Sequence, residues 1–509
     1  MDSKNIGLVI QELRKLKKMS RVQLAEKLKV TEDVVSLWED GKEIPDIQIL
    51  ESITKIFNIS YDLLLSGDLE KVRYSVGRID AVSKTREIFN PKEWYSLDNA
   101  AKVYPPQARD GWNMVFRMAA VMKEDVDIDV LNNALQDMVD RFPTFMVTLK
   151  KGLFWYYFDR VEKAPKVIVG GNHPCLPMPL DGKKYLFRVT VENRRIACDY
   201  FHSLTDGTGG TIFLMSLLTR YYELKYGKIS DYKDALNVLD NVKNEEIEDS
   251  FARYAEKGNY SKRVVKHAYH MKATKVNENI VTHIVMDGTE LKNAAKANNC
   301  TITVLLTAIL MRSMLKKRAY DKSKKPVIIQ VPINLRKRLP SKTLRNFAYF
   351  MGVETSAKEL SLQEAIEVVK AQIEQGTDKN WLQQVVNSNM RDETNPFIKI
   401  VPLFVKNLSL AIVSKILGDE AFSTTFSNVG VINAPDELKS IVDRFEFVLK
   451  DDRNGGILMS AITFNNRCTL SFIRSVLESS IEREFVKDLK EIGLNIYVES
   501  NGGLKNARM

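Results

Sequence analysis

"DYFHSLTDGTGG", Asp199–Gly210, sets a histidine four residues ahead of an Asp-Gly pair, on a loop that follows an alternating, strand-like run. Upstream, "KKYLFRVTVENRRIACDYFH" reads as two strands turning at Asn193, a hairpin whose second strand delivers His202 to the loop. Downstream, "GGTIFLMSLLTRYYELKYG" reads as a helix with a broad apolar face. A histidine so placed is suited to accept a proton, because its ordinary pKa of about 6.5 leaves it largely neutral near pH 7. Taken alone, such a residue is more often a satisfied structural histidine.

Outward from this stretch the chain keeps alternating strands and helices. "GWNMVFRMAAVM" has strand character and leads into "DIDVLNNALQDMVDRFPTFMVTL", a helix ending before Pro143 and then a strand. "FWYYF" at 154–158 reads as an aromatic strand in the core. A charged stretch, "DNVKNEEIEDSFARYAEKGNYSKRVVKHAYHMK", predicts surface helices and a crossover. Beyond it come the strand "ENIVTHIVMDG", the helix "TELKNAAKANN", the buried helix "CTITVLLTAILMRSMLKKRA" and the strand "KPVIIQVPINLR". "STTFSNVGVINAP" and "GGILMSAITFNNRCTLSFIRS" follow, and "EREFVKDLKEIGLNI" closes as a helix. The pattern divides into a first half at 91–230, a crossover at 231–275 and a second half at 276–509, without the short-loop rhythm of a parallel barrel.

At 509 residues, two or three domains are expected. The longest apolar run, "TITVLLTAILM" at 301–311, falls short of the roughly 20 residues a membrane span needs. The start, "MDSKNIGLVI", lacks a secretory pattern. A cytoplasmic protein with no membrane partner is therefore expected. Four cysteines lie far apart with no CxxC, which predicts neither a zinc site nor a disulfide framework. His267 and His270, three apart, lack a completing ligand nearby and read as a solvated helix surface, so no metal is expected.

The first seventy residues are different in kind. "IGLVIQELRKLKKM" spaces Ile6, Val9, Ile10, Leu13 and Leu16 as an amphipathic stripe. Ser20 is placed to cap "RVQLAEKLKV" and Thr31 to cap "EDVVSLWEDG". Gly41 ends that helix, and Pro45 opens a fourth, "DIQILESITKIF". These signals predict an all-α module over 1–67 and a polar linker over 68–90. The order "LAEKLKVTEDVVSLWEDGKEIPD" resembles the phage-repressor (XRE) type of helix-turn-helix over about residues 5–66. The resemblance implies double-stranded DNA as partner, with Arg21, Gln23, Thr31, Glu32, Asp33 and Ser36 facing it and Lys15, Lys17, Lys18, Lys27 and Lys29 near phosphates. Glu32 and Asp33 oppose that reading, as does the segment's ten Lys/Arg against eleven Asp/Glu. A module kept for homodimerisation or partner contact is the alternative. The chain's net +10 therefore resides in the remainder, where it suits an anionic ligand or a solubilising surface.

The remainder resembles the chloramphenicol-acetyltransferase-like superfamily, which includes alcohol acetyltransferases and peptide-synthetase condensation domains. Four matches carry this: "HSLTDG" at 202–207 as the HxxxDG motif, "LNNALQDMVDRFPTF", "TITVLLTAILMRSM", and "VPINLRKRLPSKTLRNF" at 331–347. "FSNVGVI" at 426–432 is closest to the alcohol acetyltransferases. The resemblance implies an α/β fold of two similar subdomains with a tunnel between them. It also implies acyl-CoA as co-substrate, with no permanently bound cofactor, and a small alcohol or amine acceptor. His202 would be the general base, and Asp206 would pair with Arg336, or failing that Arg338, to fix the loop. Gly207 would keep the tunnel clear. The oxyanion donor falls to Ser427, Asn428 or Thr425, with Ser203, Thr205 and Thr208 as alternatives. Phe201, where condensation domains usually carry a second histidine, and the missing carrier domain argue against peptide-bond synthesis. Two readings stay open: an acyl-CoA-dependent O- or N-acyltransferase with a DNA-binding module, or a transcription regulator sensing an acyl thioester or alcohol without turnover.

Overall fold

A computed structural model describes residues 3–57, 59, 61–65, 67, 69, 72, 73, 76, 93–108, 114–170, 173–261, 266–417, 420–449 and 456–501. The expected linker, 68–90, lies almost wholly outside them.

The N-terminal module consists of α1 (Ser3–Leu16), α2 (Arg21–Leu28), α3 (Glu32–Glu39), α4 (Ile47–Phe57) and α5 (Tyr61–Leu65). The α1 stripe Ile6, Val9, Ile10 and Leu13 is buried against Leu24, Val35, Trp38 and Ile53. Ser20 and Gln23 form a reciprocal capping box, the Gln23 amide donating to Ser20 Oγ and the Ser20 amide to Gln23 Oε1. Thr31 precedes α3 in extended backbone, but its side chain makes no capping bond. Asp46, just after Pro45, caps α4, accepting from the Ile49 amide at 2.8 Å. Glu39 is buried and takes Arg14 through two hydrogen bonds, 2.5 and 2.9 Å, and Arg21 at 2.7 Å. Burial alone would raise its carboxyl, yet the two guanidiniums hold it below its usual range. One carboxylate thus ties α1, α2 and α3 together.

The larger part contains β1 (Trp94–Ser96), β2 (Val115–Met122), β3 (Val147–Lys151), β4 (Tyr156–Arg160), β5 (Ile168–Val169), β6 (Phe187–Glu192) and β7 (Arg195–Phe201). These are followed by β8 (Lys275–Asp287), β9 (Val327–Asn334), β10 (Ala348–Thr355), β11 (Thr424–Val431), β12 (Val442–Val448), β13 (Ile457–Phe464), β14 (Arg467–Val476) and β15 (Ile496–Ser500). Its main helices are α6 (Tyr104–Gln107), α7 (Ile128–Asp137), α8 (Gly207–Lys225), α9 (Gly288–Ala297), α10 (Ile302–Tyr320), α11 (Leu362–Gly376), α12 (Lys379–Thr394), α13 (Pro396–Lys399), α14 (Leu403–Leu417) and α15 (Ser480–Glu491). One sheet has the order β12-β2-β7-β6-β5 and a second β10-β9-β11-β13-β14-β8-β15, with a small third sheet, β1-β4-β3. α7 and α8 pack on the first large sheet and α10, α11 and α15 on the second, and the core beneath the first sheet also takes in Leu458, Ile462, Phe464 and Ile473 of the second.

Several expectations change. β12 belongs to the first sheet although it lies within 276–509, so the sheets do not follow the sequence halves. A strand, β15, follows the last helix and pairs with β8. Within 231–275 the described helices are two short ones, Asn244–Ile247 and Ser250–Tyr254. His267 and His270 sit in irregular backbone, not on a helix, and His267 Nδ1 meets Glu420. Of "FWYYF" only Phe158 is core; Phe154 is exposed, because this strand belongs to the small peripheral sheet.

Candidate active site

The sequence around His202 folds as strand, turn and helix. β7 ends at Phe201, the His202 amide donates to Met114 O at 2.8 Å, and Asp206 is the N-cap of α8. Asp206 Oδ1 accepts from the Thr208 and Gly209 amides, each at 3.1 Å, placing its charge at the positive end of the helix. Oδ2 accepts from Arg336 Nη1 at 2.7 Å and from the Phe347 amide at 2.9 Å. Arg336 also donates to the Thr343 and Arg345 carbonyls and, from Nη1, to Asn334 Oδ1 and the Phe347 carbonyl. It follows directly on β9, so this buried ion pair joins the turn of the first sheet to the end of a strand in the second. Arg338 stays exposed.

His202 Nδ1 lies 3.2 Å from Asn346 Oδ1. The Asn346 amide nitrogen faces two acceptors, Asp98 Oδ2 at 3.4 Å and Ser203 O at 3.3 Å, so its oxygen is the atom turned to the ring. Nδ1 must then carry the proton, and Nε2 is left with its lone pair. Nε2 makes no hydrogen bond among the described residues, and His202 keeps some solvent-exposed surface. Tyr104 of α6 stacks on the imidazole at 4.5 Å and 13°, and Phe116 of β2 lies at 5.1 Å. Burial lowers the His202 pKa against the opposing pull of Asp206 and Asn346. Asp98 is fully buried and pushed up to about 6 by that burial, although Arg345 lies 3.5 Å away.

The two glycines differ in the room around them. A Cβ on Gly207 would meet Val429, Met118 and Phe447 at 3.4 Å or beyond, which is ordinary contact. One on Gly209 would stand 2.1 Å from both Leu344 O and Thr205 Oγ1. The close approach of α8 to residue 344 therefore depends on Gly209. Gly209→Ala is expected to cost about 1–3 kcal/mol in urea unfolding, whereas Gly207→Ala stays under about 1 kcal/mol.

The oxyanion candidates separate as well. Asn428 is committed, its amide to Thr303 Oγ1 at 3.1 Å and its oxygen to the Gly430 amide. Thr425 donates to Gln330. Ser203 and Thr205 are buried and donate to the Ala101 and Leu344 carbonyls, while Thr208 Oγ1 accepts from Asn334. The Ser427 side chain makes no hydrogen bond among the described residues. A bulge between Asn428 and Gly430 accompanies the approach of Val429 to Gly207, carrying β11 across the start of α8.

Asn346, Asp98 and Tyr104 had been given no role from the sequence. Asn346 stood inside the quoted "LRNF", but nothing there signals a partner 144 residues away. In the N-terminal module, Gln23, Thr31, Glu32 and Asp33 are exposed and Ser36 is half-buried. Arg21 is drawn onto Glu39, and the Gln23 oxygen is taken up in its cap. Among the described residues, no group of three His, Cys, Asp or Glu side chains is placed to hold a metal.

Residues 10–64 match the helix-turn-helix family model. The HTH-type transcriptional activator BcrR of Enterococcus faecalis is 42% identical over 59 residues, 12% of this chain and 29% of that relative, so the chain spans less than a third of its length. Among solved structures, polyketide synthase associated protein 5 from Mycobacterium tuberculosis superposes with a TM-score of 0.52 at 13% identity, covering 79% of this chain and 98% of that one. F. graminearum TRI101, complexed with coenzyme A and T-2 mycotoxin, gives 0.53 at 11% identity, covering 78% and 97%. The first condensation domain of the CDA synthetase gives 0.51 at 14%, covering 80% and 100%. The chain therefore joins an N-terminal helix-turn-helix segment to a domain with the fold shared by condensation and acyltransferase structures.

Proposed function

We propose that the larger domain transfers an acyl group from an acyl-CoA thioester to a small alcohol or amine, and that the N-terminal segment binds double-stranded DNA. The observation that carries the enzymatic reading is the Asn346 amide, oriented by Asp98 and Ser203 so that His202 Nε2 is an acceptor. Nε2 takes the proton of the acceptor hydroxyl or amine as its oxygen or nitrogen bonds to the thioester carbonyl carbon. The tetrahedral oxyanion is met by a donor, for which the uncommitted Ser427 hydroxyl is the best candidate. Collapse breaks the carbon–sulfur bond, and the departing thiolate recovers the proton from Nε2–H. Asp206 and Arg336 are positioning residues: they hold the turn and carry no proton. The gap between the structural neighbours' chemistry and this chain is narrowed by the coenzyme A in one of them, which suits the basic excess beyond residue 67.

The test is the purified full chain incubated with acetyl-CoA and a panel of alcohols and amines, following release of free thiol. Turnover with at least one acceptor supports the proposal. An inactive protein whose DNA binding responds to acyl-CoA would support a sensor instead. The pH dependence follows from the lowered His202 pKa. The ring must be neutral to work, so kcat/KM should fall on the acid side with a midpoint below the ordinary 6.5 and level off above it. A midpoint above 6.5 in a pH–rate profile would count against a buried base.

A further inference from the structure

Helix α13, Ile400 and the first turns of α14 carry a line of large apolar side chains turned to solvent. Phe397 is 78% exposed and Phe404 74%, with Ile400 and Leu408 open beside them. Phe404 and Leu408, four residues apart, share one face of α14. The turn between β3 and β4 extends this surface, with Leu153 73% exposed and Phe154 also open. The two pieces are fixed to each other. The Leu403 amide donates to Leu153 O at 2.9 Å, and Lys406 Nζ donates to Phe154 O at 3.0 Å while lying 3.6 Å from the centre of the Trp155 ring. Six such side chains on one hydrogen-bonded surface exceed the scattered exposure of an ordinary soluble face.

Charge decides what covers it. From 395 to 417 the chain holds three lysines and no Asp or Glu, and the turn "KKGLFW" at 150–155 adds two lysines and again no acid. Lys406 is turned inward and Lys150 lies 3.7 Å from Asp159, while Lys151 and Lys399 are exposed at the patch. A second copy seated here about a two-fold axis would set lysine near lysine, with no carboxylate in either segment to pair with them. An anionic lipid surface offers the complement: phosphates for the lysines and an acyl boundary that receives an in-plane apolar face to a depth of about 5–10 Å.

We infer that this face docks on an anionic bilayer surface, lying in its plane. No single described helix is long and apolar enough to cross a membrane, and an in-plane face needs none. Membrane docking of this kind departs from the expectation of no membrane partner, because that expectation rests on the absence of a spanning run. α14 packs on α6, whose Tyr104 stacks on His202, so docking acts one element away from the imidazole.

The experiment is flotation of the full chain with phosphatidylglycerol/phosphatidylcholine vesicles and with phosphatidylcholine alone, at low and high salt. Binding to the anionic vesicles, weakened by salt and reduced about tenfold or more by Phe404→Glu/Leu408→Glu, is expected. Leu153→Ser, on the other segment, should weaken it as well, which guards against misfolding of the double variant. Anionic-vesicle binding that survives both variants would show that lysines elsewhere are responsible and overturn the inference. So would failure to float at low salt, or a dimer that Phe404→Glu/Leu408→Glu converts to monomer without any vesicle binding.

Discussion

His202→Ala is expected to lower acyl transfer by about 10²–10⁴-fold, the contribution of a positioned general base, in a protein that still folds. The imidazole is not a keystone of either core: its side chain makes one hydrogen bond and rests against Tyr104 and Phe116. The loss should appear in kcat and kcat/KM together, with little change in KM for acyl-CoA, because Nε2 acts on the acceptor's proton. Thiol-release kinetics of the variant, with its thermal unfolding as control, decide the matter. Turnover within about tenfold of the unmodified protein would remove His202 from the base role.

Asp206→Ala should do the reverse and strike the fold first. The carboxylate caps α8 with one oxygen and holds Arg336 and the Phe347 amide with the other, and the pair is almost wholly buried. Removing it strands a guanidinium between the sheets, a change that typically costs about 3–5 kcal/mol. Urea unfolding measures it. Asp206→Asn is informative because the shape survives. Its Oδ1 can still accept from the Thr208 and Gly209 amides, but its NH₂ would face donors on Arg336 and Phe347, so much of the loss should persist. If Asp206→Ala unfolds within about 1 kcal/mol of the unmodified chain, the clamp is not what locks the turn.

Local order was legible where one stretch of chain suffices. The hairpin at Asn193 and the buried run of α10 are decided by nearby residues, and pattern alone locates them; the N-cap role of Asp206 emerges only in the structure. The contact between Asp206 and Arg336 required the superfamily resemblance, since the two lie 130 residues apart. Asn346 stands in a quoted motif, but its contact with Asp98 is a product of tertiary packing across 248 residues, with no spacing rule to announce it. "FWYYF" was read as core for its aromatic content, yet whether a strand is sealed depends on what lies over it. Nothing in the helix-turn-helix pattern signals that Arg14 and Arg21 converge on Glu39.

The late strand β12 has a consequence for biogenesis. Until residue 448 has left the ribosome, β2 stands at the rim of an incomplete sheet, paired with β7 on one side and without its β12 partner on the other. A nascent or truncated chain ending near 230 or 276 would expose a sticky margin that recruits other chains. The two sheets are therefore expected to mature together, and a fragment cut at the crossover is expected to aggregate.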